Sequence, residues 1–279
     1  MNIQEIKDLI NSSTYEFLRT DEHLGNHIML MTLGGSYAYG TNIEGSDLDI
    51  RGITMERRQE LLGLSNFEQF ENKTTDTVIY GFRKIVNLLI NCNPNTIEIL
   101  GTKPEHIFTV TDEGKMLRNH VNLFLSRKAA HSFGGYANQQ LRRLQNAFQI
   151  EDGIVFSGVQ QSFEDMITQL SSVSGQLNKR NNKKDEKHMN KHIMHIVRLL
   201  LMGIEILEGK GINTYRGNDR EMLLKIRNGE YSYEEIFQMV DEYNKKFIYA
   251  KDNTSLPENP NMKKIEEIVM TINERSLKI

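Results

Sequence analysis

Gly34, Gly35 and Ser36, followed by Asp47 and Asp49, are the residues of this 279-residue chain whose types and spacing can do chemistry together. A glycine pair lets backbone N–H groups approach an anion with no side chain in the way. Ser36 adds a hydroxyl donor, and a short helix beginning there would turn its positive end to the same anion. Gly34, Gly35 and Ser36 therefore read as a cradle for phosphate, fitted to the β- and γ-phosphates of a nucleoside triphosphate. Asp47 and Asp49 stand at i and i+2, and on a strand such side chains project from one face. Two adjacent carboxylates repel unless a cation neutralises them. Magnesium, with manganese as the alternative, takes a few carboxylates together with phosphate and water oxygens. A phosphate cradle beside a paired-carboxylate metal site implies a nucleoside triphosphate, ATP first. There, metal ions would orient an attacking hydroxyl and stabilise a leaving pyrophosphate.

The flanking segments must place these groups. His27 to Leu33 is a short, mostly apolar run ending at the glycine pair, which predicts a buried strand stopped by a tight turn. Leu48 to Thr54, with Ile50, Ile53 and Thr54, predicts a second strand that would carry Asp49. Further strands are expected around Phe67–Phe70 and over Thr74–Tyr80. Helices are expected over residues 3–18, 56–62 and 82–90. Mixed strands and helices in the first hundred residues make an α+β unit with a mixed sheet. From Asp112 the pattern is helical, over 112–125, 127–149, 160–178, 187–208, 219–228, 232–248 and 262–276. A boundary near residue 107 divides the expected organisation into a catalytic domain at 1–107 and an α-helical domain at 108–279.

Taken singly, each piece is commonplace: Gly-Ser closes many turns and Asp-x-Asp occurs on many exposed loops. The order Gly35-Ser36, ten residues, Asp47-x-Asp49, just after an apolar strand, is far more specific. It resembles the signature of the DNA polymerase β-type nucleotidyltransferase superfamily. The stretches Gly34–Thr41 and Gly45–Gly52 look closest to a bacterial and phage branch of predicted nucleotidyltransferases, as do Asn93-Pro94-Asn95, Glu98 and Leu100. The resemblance is strongest over residues 30–100. It implies a polymerase β-like catalytic domain and a further carboxylate from a neighbouring strand, which acts as general base and completes the metal site. Asp76, opening the strand at Thr77, is the first choice for it and Glu98 the second; Glu44 reads as a solvated turn residue. The resemblance also implies that a lysine from the helical domain, closing the nucleotide cleft, contacts the phosphates, and Lys191 is the matching position.

Lys191, His195 and Arg198 stand at i, i+4 and i+7 on the helix that carries the apolar stripe Ile193, Ile196, Val197, Leu200, Ile204 and Leu207. This second face suits a triphosphate or pyrophosphate, with a solvated helix face as the plain alternative. His188 and His192 have zinc-ligand spacing, but no His-Glu-x-x-His pattern and no nearby cysteine accompany them. The Gly134-Gly135 pair implies a kink or a close approach to the nucleotide, or else helix–helix packing. Arg142 and Arg143, with the basic run at 179–184, could guide RNA, though such clusters are commonly solvated surface. Arg216, Arg220 and Arg227 carry the same ambiguity.

Composition bounds these readings. A formal charge of −3 excludes a wholesale polyanion-binding protein, so any nucleic-acid contact must be local. Cys92 is the only cysteine, which excludes an intrachain disulfide and a cysteine-rich zinc site. No run approaches a membrane span and the first residues lack a secretory pattern, so a cytoplasmic protein without membrane contact is expected. The expected activity is transfer of a nucleoside monophosphate to an acceptor hydroxyl on RNA, protein or a small molecule. Competing readings are a nucleotide-binding regulatory module and the nucleotidylating half of a toxin–antitoxin or defence pair acting on protein or transfer RNA.

Overall fold

The structure is a computed structural model and describes residues 1–156, 161–178 and 183–278. The chain forms two compact units: residues 1–126 with 211–217 and 257–279, and residues 127–210 with 218–256.

The first unit is built on β1 (Ile28–Leu33), β2 (Ile50–Thr54), β3 (Gln69–Asn72), β4 (Thr77–Gly81) and β5 (Ile107–Val110), in the sheet order β3-β4-β2-β1-β5. β2 runs parallel to β4, and the other neighbouring pairs are antiparallel. β1 lies between β2 and β5 and every one of its residues is buried, which is why it reads as an unbroken apolar run rather than an alternating one. The helices of this unit are α1 (Ile3–Asn11), α2 (Phe17–Thr20), α3 (Gly35–Tyr39), α4 (Arg58–Leu62), α5 (Phe82–Ile90), α6 (Pro94–Leu100) and α7 (Asp112–Asn119). The last helix of the chain, α13 (Met262–Ser276), also belongs here. It is tied in by the Ser276 hydroxyl donating to the Glu56 carbonyl at 2.5 Å and by an Arg275–Glu113 ion pair at 3.3 Å.

α1 begins with a capping box, in which Asn2 accepts from the Glu5 N–H and Glu5 accepts from the Asn2 N–H. It buries Ile6 and Ile10 in a core with Leu18, Leu24, Ile28, Met31, Leu33, Ile50 and Ile79. Each such side chain contributes roughly 1.5–3 kcal/mol when fully buried. The expected single helix over 3–18 is thus α1 followed by a 3₁₀ turn at Ser13–Tyr15 and the short α2.

The second unit is helical: α8 (Lys128–Asp152), α9 (Phe163–Leu177), α10 (Lys183–Leu207), α11 (Arg220–Asn228) and α12 (Tyr233–Asn253). Gly134 and Gly135 lie inside α8 without interrupting it. A Cβ on Gly134 would stand 3.4 Å from Phe247 and one on Gly203 only 2.6 Å, so these glycines of α8 and α10 admit the Phe247 ring of α12. Of the glycine pair, Gly134 serves helix packing, while a Cβ on Gly135 would meet open space.

The expected domain boundary is corrected. A single cut near residue 107 does not describe the units, because β5 pairs with β1 and α7 packs on the same sheet. Segments 211–217 and 257–279 also return to the first unit. β5 and α6 were not expected: β5 has four half-buried residues, too few to show a period.

Gly114 in α7 marks the tightest helix–sheet contact, since a Cβ there would stand 2.2 Å from the backbone oxygen of Met29. Alanine favours a helix by about 1 kcal/mol over glycine, but overpacking against rigid backbone costs about 1–3 kcal/mol. Gly114→Ala is therefore expected to lower stability in chemical denaturation. A gain, as propensity alone would give, would show that α7 can lift from β1.

Candidate active site

Three adjacent strand ends build the site. Beyond the last paired residue of β1, the Gly34 N–H donates to the Asp49 carbonyl at 2.8 Å. On the other side of β2, the Ile50 N–H donates to the Asp76 carbonyl at 3.1 Å. The register Leu33↔Ile50 and Ile50↔Thr77 places Gly34, Asp49 and Asp76 one step outside the ladder on β1, β2 and β4. Because β2 and β4 are parallel, both deliver a carboxylate at the same end of the sheet.

The chain then turns over this edge. Gly35 has φ +53°, and α3 ends at Gly40 with φ +75°, a left-handed cap donating to the Ser36 and Tyr37 carbonyls. A Cβ on Gly35 would stand 2.0 Å from Asp49 Oδ2, so the carboxylate rests directly against this glycine. A Cβ on Gly34 would stand 2.6 Å from Arg51 Cγ. Both glycines are required by close approach, Gly34 to an arginine stem and Gly35 to a carboxylate.

Arg51 joins the pieces. Its Nη2 donates to Asp49 Oδ1 at 2.8 Å and to Asp76 Oδ1 at 3.0 Å. Its Nη1 donates to the carbonyls of Ile50 and Asp76. Asp76 has φ +43°, an uncommon conformation outside glycine, and there it presents both its carbonyl and its carboxylate to this guanidinium. The Asp76 side chain keeps 51% of its surface exposed, against 18% for Asp49, so Asp76 is open to an incoming group. Beneath it, Tyr15 is buried, and burial first, with the Asp76 carboxylate second, pushes its phenol up. Tyr15 thus stays protonated beside the carboxylate.

Asp47 stands differently. β2 begins at Ile50, not Leu48, and residues 46–49 carry no regular structure, so no pleat forces Asp47 and Asp49 onto one face. The Gly34 N–H to Asp49 carbonyl bond carries the β1–β2 pairing one step past Ile50, and the chain reaches it irregularly from the Gly45 turn (φ +78°). Among the described residues, no three His, Cys, Asp or Glu side chains are grouped as metal ligands. Asp49 and Asp76 are brought together through Arg51. Glu98 is buried in α6, where it accepts from the Tyr39 hydroxyl at 2.7 Å. Glu44 is exposed on a turn.

In the second unit, α10 carries an exposed Lys191, a half-buried His195 and a buried Arg198. Burial first, then the Arg198 and Lys191 cations, push the His195 imidazole down to about 3. At neutral pH the charge of this face comes from the lysine and arginine alone. His192 is lowered too, by burial and then by His188, and its Nδ1 lies 2.9 Å from Gln140 Oε1. Arg142 and Arg143 are exposed, and residues 179–182 of the basic run lie outside the described residues. Arg216 is buried in the first unit, its N–H donating to the Tyr39 carbonyl at 3.0 Å and its Nη1 to Asn213 O at 3.1 Å; it holds segment 211–217 to α3.

Arg51 and Tyr15 are the site residues that sequence reasoning passed over. The spacing rule applied to Asp47 and Asp49 also puts Arg51 at i+2 from Asp49, a usable signal. Tyr15 had none, because its place follows from how the segment after α1 packs.

A buried strand, a glycine turn into a short helix, and carboxylates at the ends of two neighbouring strands define a polymerase β-type nucleotidyltransferase. The sequence model of the RNA repair pathway DNA polymerase beta family (RlaP) matches residues 9–271, and the chain belongs to that family. No curated protein matches it. A nucleotidyltransferase-like protein from Exiguobacterium sibiricum 255-15 is similar at 10% identity and a TM-score of 0.30, covering 98% of this chain and 78% of that one; this likeness is too slight to carry an argument. No helix among the described residues is long and apolar enough to cross a membrane.

Two outcomes follow from this geometry. Gly35→Ala adds a Cβ where Asp49 Oδ2 lies, at a positive φ, and should displace that carboxylate. It is expected to cut nucleotidyl transfer at least about tenfold, or roughly 1.4 kcal/mol of barrier, while circular dichroism stays native. Full activity would show that the close approach is dispensable. His195, with its folded value near 3, lies below the ordinary histidine value, so its neutral form contributes stability above about pH 6.5 that is lost as pH falls toward 3. Ring NMR should find it neutral at about pH 5, and inorganic tripolyphosphate should raise its pKa. A value that ignores tripolyphosphate would count against Lys191, His195 and Arg198 forming a phosphate face.

Proposed function

We propose that this protein transfers a nucleoside monophosphate from a nucleoside triphosphate, ATP first, to a hydroxyl of RNA and releases pyrophosphate. The observation that carries this reading is the convergence of Asp49 and Asp76 on one positive group beside the Gly34-Gly35-Ser36 turn. The choice of RNA over protein or a small molecule is supported by the family's place in an RNA repair pathway.

The donor set suits a hard divalent cation, because two carboxylates already share one cationic nitrogen and Asp47 lies two residues from Asp49. Asp47, Asp49 and Asp76 would hold magnesium, or manganese in its place. When bound, the ion neutralises triphosphate charge and eases loss of the acceptor proton.

The chain's own groups do the rest. Gly35 and the Ser36 hydroxyl receive the β- and γ-phosphates at the start of α3. On α10 of the second unit, Lys191, Arg198 and the neutral His195 offer a phosphate-binding face of their own. The more exposed Asp76 carboxylate accepts the proton of the acceptor hydroxyl as its oxygen bonds to the α-phosphorus. The bond from that phosphorus to the oxygen bridging the β-phosphate breaks, and pyrophosphate leaves with the electron pair. Asp49, held against Gly35, keeps its position while this happens.

The test is incubation with α-labelled and γ-labelled triphosphates and RNA ending in a free hydroxyl. Label from the α-position should enter RNA with equimolar pyrophosphate release. Asp49→Asn should lower the rate by about a hundredfold to a thousandfold, the scale expected when electrostatic organisation of a reacting centre is lost. Retained activity in a folded Asp49→Asn protein would overturn the reading. Label entering protein would move the acceptor to that class, and saturable binding without turnover would favour a regulatory module.

A further inference from the structure

We infer that Arg51 is an exchangeable counter-cation: it holds Asp49 and Asp76 together without metal and yields its place when a divalent ion enters. The inference rests on the metal-dependent reading above and assigns Arg51 a role within it.

Arg51 Nη2 is within hydrogen-bond distance of one oxygen from each carboxylate, 2.8 Å from Asp49 and 3.0 Å from Asp76. A single nitrogen therefore stands between the two acids, where their negative charges reinforce one another. An arginine cannot discharge this pair by losing its proton. Without it, two carboxylates at neighbouring strand ends would repel, one of them on a left-handed residue that has already left the favoured backbone region. The guanidinium thus has a definite task in the metal-free protein.

That task conflicts with metal binding. A divalent ion on the same carboxylates would stand close to a fixed positive group, and like charges at such distances repel strongly when partly screened from water. Simultaneous occupancy is disfavoured, so ion entry and guanidinium departure are one exchange. Departure is feasible by construction. The Arg51 side chain is 20% exposed and pivots from a stem packed over Gly34. Its other partners are the backbone carbonyls of Ile50 and Asp76, the former belonging to the preceding residue of its own strand. A permanent strut would instead stay in place and help the metal to bind.

The two cases predict opposite signs for metal affinity. Mn²⁺ binding to the full chain without nucleotide is measured by electron paramagnetic resonance for the unaltered protein, Arg51→Gln, Arg51→Lys and Asp49→Asn. Arg51→Gln is expected to bind Mn²⁺ about tenfold tighter, since the competing charge is gone. Arg51→Lys, which keeps the charge, should stay within about threefold of the unaltered protein, and Asp49→Asn should bind weakest. Equal or weaker binding by a folded Arg51→Gln overturns the exchange, while loss of binding in Asp49→Asn would leave the metal reading intact. Absence of Mn²⁺ binding from both the unaltered protein and Arg51→Gln overturns the metal reading and the exchange with it. Should Arg51→Gln not fold, guanidinium ¹⁵N NMR of the unaltered protein decides. The Arg51 signals should change from hydrogen-bonded to freely rotating as Mg²⁺ is added, and signals unmoved at saturation overturn the exchange.

Discussion

Two backbone hydrogen bonds organise the sheet end that carries Gly34, Asp49 and Asp76: Gly34 N–H to Asp49 O, and Ile50 N–H to Asp76 O. They extend the pairing of β2 with its neighbours by one step on each side. The extension fixes the spacing of Gly34, Asp49 and Asp76 through the sheet rather than through loops. Strand neighbours lie about 4.8 Å apart, close enough for one guanidinium to span two carboxylates and far enough for a cation to sit between them. The parallel pairing of β2 and β4 is indispensable here, because an antiparallel partner would send the second carboxylate to the opposite end of the sheet.

Local irregularity is concentrated where the ladder stops. Gly35 and Asp76 both have positive φ, and they flank Asp49 on opposite sides. At Gly35 the absent side chain makes room for the carboxylate; at Asp76 an aspartate adopts a conformation more usual for glycine and gains contacts to Arg51 with both its carbonyl and its side chain. Buried groups underneath, Tyr15 and the core of α1 and α2 with it, provide the rigid floor that lets such conformations persist. Strain of this kind is sustained by the surrounding structure, not by the residues that show it.

Much of the first unit was legible because its strongest signals are local. The apolar run of β1, the helix Phe82–Ile90 and the glycine pair each depend on neighbours within one element. Elsewhere the signals failed for definable reasons. β5 is four half-buried residues, and α6 begins at a proline that reads equally well as a turn. The strand expected from Leu48 begins at Ile50: the bond from Gly34 to the Asp49 carbonyl carries the pairing one step further, and residues 46–48 lead back from it to the Gly45 turn without regular structure. The return of segments 211–217 and 257–279 to the first unit has no local signature at all. It rests on contacts such as Ser276 with Glu56 and Thr214 with Glu98, each across more than a hundred residues.

By itself the sequence singled out Gly34, Gly35, Ser36 and Asp49 as neighbours, because their spacing is short and a strand–turn–strand closes it locally; the same-face pairing it expected of Asp47 and Asp49 is not enforced by the irregular segment 46–49. It also determined that the later part of the chain is helical, because apolar periodicity accumulates over many turns of each helix. Only the tertiary structure decided that Asp76 faces Asp49, that Glu98 turns to Tyr39, and that Arg51 lies between the two aspartates. The placing of Asp76 and Arg51 depends on which strand pairs with β2 and in what direction, and that of Glu98 on how α6 packs against α3. Strand order is set by hydrogen bonds and side-chain packing between segments far apart in the chain, which no spacing within one segment encodes.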